Sequence, residues 1–210
     1  MSLIGQSWEL MCELAKRTPW GRIEIQPLIH DIAQVAPEFV RFLENGGRVM
    51  IQGKVFPTWK LIKLGLHKSP EAYASVLEAK GHKINKWARD ILMKITCSQE
   101  VVDLELVDVS GAELGFTQVY TARECYERAV TFGLYPCPAE TGPATRDQYN
   151  DQPAGEYRRI AMEAIADSGG GLNVFDVYRD GGELWLETDS GHPDNRWNPG
   201  HRWVFCRRKP

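Results

Sequence analysis

At 210 residues, 43% hydrophobic and 25% charged, the chain has the size and composition of a globular protein of one large or two small domains. A net charge of −3 excludes a strongly polycationic protein, and no apolar run approaches the roughly 20 residues that a membrane span needs. Five cysteines at 12, 97, 125, 137 and 206, without a Cys-x-x-Cys pair, point to free thiols in a reducing compartment. The start, Met1-Ser-Leu-Ile-Gly-Gln-Ser-Trp8, lacks the basic and long apolar stretches of a signal peptide, so the expected setting is cytoplasmic.

Residues 1–53 read as a helical N-terminal module. Trp8, Met11, Cys12 and Ala15 recur at helical spacing before Thr18-Pro19. A second helix is expected from Leu28 to about Glu44, broken at Pro37 and ended by Asn45-Gly46-Gly47. From Arg48 the period changes, and Val49, Ile51, Val55, Trp59, Leu61 and Ile62 suggest short strands around Gly53 and Pro57, while residues 54–210 read as an α+β domain. Ser69-Pro70-Glu71 is a helix start, with a capping serine and a proline at the first helical position, and Gly81 is its stop. Asn85 caps the next helix, where Ala88, Ile91, Leu92 and Ile95 fall at i, i+3, i+4 and i+7. The pair 69–81 and 85–95 is expected to form a helix hairpin joined by a short turn.

Val101 to Val109 alternates as a strand. Ser110-x-x-Glu113 and Thr121-x-x-Glu124 are capping boxes, the first opening a short helix and the second a longer one ending at Gly133. Tyr135 to Gly155, with four prolines and two glycines, reads as a loop. From Arg158 the alternation of Ile160, Met162 and Ala164, the turn at Asp167–Gly171, and the reversal at Asp180-Gly181-Gly182 predict an antiparallel sheet closed by Arg202–Arg207. The predicted fold class is α+β: N-terminal helices, a helix hairpin, then a C-terminal antiparallel sheet.

Dinucleotide, phosphate-loop, zinc-protease and nucleophile-elbow motifs are all absent, and no cofactor is expected. Cys137, rigidly held in Pro136-Cys-Pro-Ala-Glu-Thr-Gly-Pro143, is a candidate nucleophile if His192 or His201 serves as base and Glu140 orients it. The alternative is a small buried side chain. His192 and His201 lie nine residues apart, which matches no compact zinc pattern, so no metal is expected. The run Glu140, Arg146, Asp147, Tyr149, Asp151, Glu156 and Arg158 suits either acid–base pairs or salt bridges within the loop.

Charge is unevenly spread. Lys54 to Lys94 holds nine Lys/Arg against three carboxylates, whereas residues 98–210 hold 19 Asp/Glu against 11 Lys/Arg. A basic segment beside an acidic one serves either a polyanion or an internal interface. Lys83, Lys86, Arg89 and Lys94, with Trp59 and Trp87, are the candidates for a nucleic-acid surface.

Residues 58–208 resemble a family of bacterial proteins with no assigned activity. The resemblance rests on Lys60-Leu-Ile-Lys-Leu-Gly65, Trp87-Ala-Arg-Asp-Ile-Leu92, Ala112-Glu-Leu-Gly-Phe116, Cys137-Pro-Ala-Glu-Thr-Gly-Pro143, Asp151-Gln-Pro153 and the stretch Pro193 to Arg207. It carries over no functional residue, and residues 1–53 fall outside it. Gly181-Gly-Glu-Leu-Trp185, Pro193-Asp-Asn-Arg196 and the closing strand are similar to the end of C-type-lectin-like folds, although Asp180 and the Glu-Leu insertion depart from the usual Arg-Gly-Gly-Ser-Trp form. That similarity implies a ligand-facing loop at 189–201 on a rigid sheet.

The function expected from the sequence is binding without catalysis. Trp185, His192, Asn195, Arg196 and Trp197 would meet a protein or small-molecule ligand. A hydrolase or transferase built on Cys137 is the second reading, and nucleic-acid binding through 54–94 is the third.

Overall fold

Helix starts follow the capping residues. The computed structural model describes residues 54–207; the helices expected over 1–53 and the strand residues Val49 and Ile51 lie outside them. Helix α1 (Pro70–Ala79) begins at Ser69, whose hydroxyl accepts from the Ala72 amide at 3.2 Å. Helix α2 (Lys86–Leu92) begins at Asn85, whose Oδ1 accepts from the Trp87 and Ala88 amides at 2.7 and 3.0 Å. Helix α3 (Ala122–Thr131) carries the full reciprocal box between Thr121 and Glu124. Ser110 and Glu113 form the same reciprocal bonds, yet only a turn follows where a short helix was expected.

Helix α4 (Thr141–Gln148) lies inside the stretch expected to be a loop. Its proline, Pro143, stands in the first turn, where its missing N–H leaves no intrahelical bond unmade. Thr141 through Asp147 are all buried. Gly142 explains how a helix so poor in large side chains packs: a Cβ there would stand 2.5 Å from the Phe175 ring.

The strands are β1 (Lys60–Leu64), β2 (Lys83–Ile84), β3 (Val102–Ser110), β4 (Tyr120–Thr121), β5 (Tyr157–Ile160), β6 (Ile165–Ala166), β7 (Leu172–Asp180), β8 (Glu183–Ser190), β9 (Arg196–Trp197) and β10 (Arg202–Cys206). The main sheet runs β1-β3-β10-β5-β7-β8-β2 with β6 beside β7, while β4 and β9 form a separate pair. The sheet is mixed, which corrects the antiparallel expectation: β10 runs parallel to β5, and β2 parallel to β8. It also draws in β1, β2 and β3 from earlier in the chain. The closing strand is central, and Trp203 to Cys206 are all buried, the continuous apolar run of a strand covered on both faces. The expected helix hairpin is likewise interrupted, because β2 sits between α1 and α2 and pairs with Trp185–Leu186.

The fold is therefore α+β. Alternation along β7 and β8 sorts two faces. Phe175, Val177 and Leu186 are fully buried on one, where Phe175 meets α4. Arg159, Asp176 and Glu187 are cross-strand neighbours on the other.

Candidate functional site

The second face is partly closed. At β10, Tyr126 of α3 meets Trp203 and Phe205 edge-on at 5.6 and 5.7 Å. Beside it Trp197 packs edge-on against Trp203 at 5.2 Å and His201 at 5.4 Å, and the Arg159 guanidinium lies 3.9 Å over its ring. Across β5, β7 and β8 the face opens. Tyr157 and Tyr178 pair in register and stack at 3.8 Å and 14°, with Tyr157 51% exposed. Trp185 stands opposite Tyr178 on β8 and is partly exposed.

Carboxylates line the same face. Asp176 is 2% exposed; its Oδ1 accepts the Arg158 amide at 3.1 Å, and Arg159 Nη2 lies 3.9 Å from its Oδ2. Arg159 also binds Asp189, its Nε at 3.2 Å. Burial, above all, pushes the Asp176 carboxyl up to about 7; Asp189 and Glu187 add to this, and Arg159 works against it. Glu187 is raised as well, by burial, and accepts from Asn85 Nδ2 at 2.9 Å. Burial is the first cause holding the Tyr157 hydroxyl well above its usual range, and the Tyr178 hydroxyl beside it is the second. Among the described residues no group of three or more His, Cys, Asp or Glu is placed to hold a metal ion.

The residues singled out from sequence fall in several places. Trp185 lies on the open face. His192 and Arg196 are exposed in the 189–201 loop and Asn195 is partly exposed, but Trp197 is 5% exposed and belongs to the core. As a contact anchor Trp197 is therefore corrected to a support for Arg159. The Asn195 and Pro193 carbonyls accept from Ala122 and Arg123, so the loop docks on the first turn of α3.

Cys137, Glu140 and the loop histidines are each tied elsewhere. The Cys137 thiol is buried and donates to the Val204 carbonyl at 3.6 Å; burial first, then the Cys206 thiol, raises it well above its ordinary value. A nucleophilic cysteine needs the opposite shift. Glu140 accepts from Tyr73 Oη and the Gly65 amide at 2.7 Å and from the Ser98 amide at 2.8 Å, which makes it a buried clasp between α4 and the α1 region. His192 and His201 accept, through Nδ1, from the Asp194 and Asn198 amides within their own loop.

The basic segment largely meets the acidic half. Lys60 pairs with Asp151, Lys63 with Asp103, Lys80 with Asp147 and Lys83 with Glu183. Arg89 pairs with Glu78 and Lys94 with Asp90, while Lys86 lies 4.2 Å over the exposed Trp87 ring. Lys60, Lys63, Lys80 and Lys83 thus reach across to the acidic half, whereas Arg89 and Lys94 pair within the basic segment itself.

Sequence reasoning passed over Tyr157, Asp176, Tyr178 and Glu187 as site residues. Their signal is period-two spacing, which names a face but not the register that stacks one tyrosine on the other. No family model, curated protein or solved structure matches the chain. No helix of the described residues is long and apolar enough to cross a membrane.

Proposed function

We propose that the protein is a binding module that docks a basic segment of a protein partner on the open face of β5, β7 and β8. The observation that carries this reading is the stacked Tyr157–Tyr178 pair, half exposed beside Trp185 on a rigid sheet. Tyrosine and tryptophan held by neighbouring strands offer large, stiff apolar faces at little entropic cost, the kind of residue on which binding energy concentrates. The charge around them selects the partner. Glu187 borders the strip with the neutral Asn85 amide on its carboxylate, while Asp189 is held by Arg159, and Lys or Arg side chains gain from both a carboxylate and aromatic faces. The 189–201 loop frames one side of this face through Asp189 and the Trp197–Arg159 contact, and exposed His192 and Arg196 form its outer surface.

The test is calorimetric titration with a set of Lys/Arg-rich peptides. The wild type is expected to bind a subset saturably. Tyr157→Ala with Trp185→Ala is expected to weaken that binding by about tenfold or more, with the melting temperature nearly kept. Equal binding by the two proteins would defeat the reading.

A further inference from the structure

Arg146 on α4 carries a charge that its surroundings do not neutralise. Its guanidinium is 0% exposed, and its bonds go to neutral oxygens. Nη1 donates to Gln152 Oε1 at 2.5 Å and to the Tyr178 carbonyl at 3.5 Å; Nη2 donates to the Tyr149 carbonyl. Asp147, the next residue, is taken by Lys80 at 2.5 Å and His67 at 3.2 Å. A second guanidinium grips the same residue from β7: Arg179 Nη1 donates to the Gln152 carbonyl at 2.7 Å. Among the described residues neither arginine has a carboxylate in ion-pair range. Burying a cation without a counter-charge is costly, and placing a second one beside it adds repulsion. The Arg146 guanidinium is correspondingly pulled down to about 10, by burial first and with Arg179 contributing.

Three buried nitrogens in this region lack a hydrogen-bond partner among the described residues: Arg146 Nε, Arg179 Nε and His82 Nε2. His82 directly precedes β2 and is 5% exposed. Burial lowers its proton affinity, with the Arg146 and Lys80 charges adding to the effect, while Asp147 and the Asn150 side chain oppose it. The Asn150 side chain takes one ring N–H, so Nε2 donates to an anion only from the protonated ring. His82 also lines a groove of about 320 Å³ with Glu78, Gly81, Lys83, Ile84 and Arg89, while Arg146 and Arg179 lie outside its lining.

We propose that His82, Arg146 and Arg179 form a binding site for a small oxyanion, a carboxylate or phosphate group. Guanidinium edges present planar donors that match both groups, and the anion supplies the charge that the two arginines lack. The site lies on the other face of β7 from the Tyr178 ring and touches that residue only through its carbonyl, which accepts from Arg146.

The experiment is an NMR titration of labelled protein with inorganic phosphate and, separately, with acetate, at constant ionic strength. It follows the His82 ring and the arginine Nε–H signals. Phosphate also stabilises proteins by exclusion from their surface, so the readout is these local signals and not the melting temperature. Saturable shifts and a higher His82 pKa in the bound state are expected. Arg179→Gln, at a half-buried position, is expected to fold and to weaken binding by about tenfold or more. A response to phosphate alone assigns a phosphate group, and a response to both assigns oxyanions generally. No saturable shift from either anion, or a variant that titrates like the wild type, would overturn the proposal.

Discussion

Replacing Asp176 with asparagine should make the protein more stable at pH 8 and leave it nearly unchanged at pH 4. The carboxyl rises from an ordinary 3.8 to about 7 on folding, because a buried charge with Glu187 and Asp189 nearby is disfavoured. A folded-state value above the unfolded one means that the contribution of Asp176 is fully present below pH 3.8 and is lost as pH rises through about 7. At 1.4 kcal/mol per tenfold change in proton affinity, the loss has a ceiling of about 4 kcal/mol. Asparagine keeps Oδ1 for the Arg158 amide, and Arg159 keeps Asp189. A net gain of about 2 kcal/mol or more is therefore expected at pH 8. Urea unfolding of both proteins from pH 4 to pH 8 measures it. The difference between them isolates Asp176, since the depressed His82 and His201 act equally in both. A variant less stable than the wild type at pH 8, or a difference that does not grow with pH, would refute the reasoning.

Other substitutions probe the packing around the site. Trp197→Ala removes a buried ring wedged against Trp203, His201 and Arg159, and should cost about 3–5 kcal/mol in urea unfolding, while Trp185→Ala should be nearly neutral. Gly142→Ala drives a methyl group to 2.5 Å from the Phe175 ring and should lower stability by about 1–3 kcal/mol by the same assay. Cys137, buried and with its thiol pushed up, should resist iodoacetamide in the folded protein at pH 7.5 and label only on unfolding, as peptide mass spectrometry would show; preferential labelling of Cys137 in the native state would restore it as a nucleophile.

Short-range chemistry was the readable part of this chain. Ser69, Asn85 and Thr121 cap helices because their side chains need only an amide two or three residues away. Gly181 and Gly182 reverse the chain at φ +55° and +89°, a conformation that glycine adopts freely. Long-range pairing was not readable. Nothing within Arg202–Cys206 says that β10 inserts between β3 and β5, and that placement turns an antiparallel sheet into a mixed one. Helix α4 stayed hidden because Thr141, Gly142, Ala144 and Thr145 bury a face made of small residues, without the large apolar stripe that marks most buried helices. At the site, Trp185 and Trp197 are the same residue type in adjacent segments, and only their neighbours separate an open strand position from a core one. The basic segment was legible as a charge imbalance, whereas its partners Asp103, Asp147, Asp151 and Glu183 are set by the fold.

The most direct test of the docking claim is an amide and indole chemical-shift map of the protein titrated with the tightest-binding Lys/Arg-rich peptide. Saturable shifts are expected at Tyr157, Tyr178, Trp185 and Glu187, fading along β1 and β3. Shifts confined to α1 and α2, or none at saturating peptide, would contradict it.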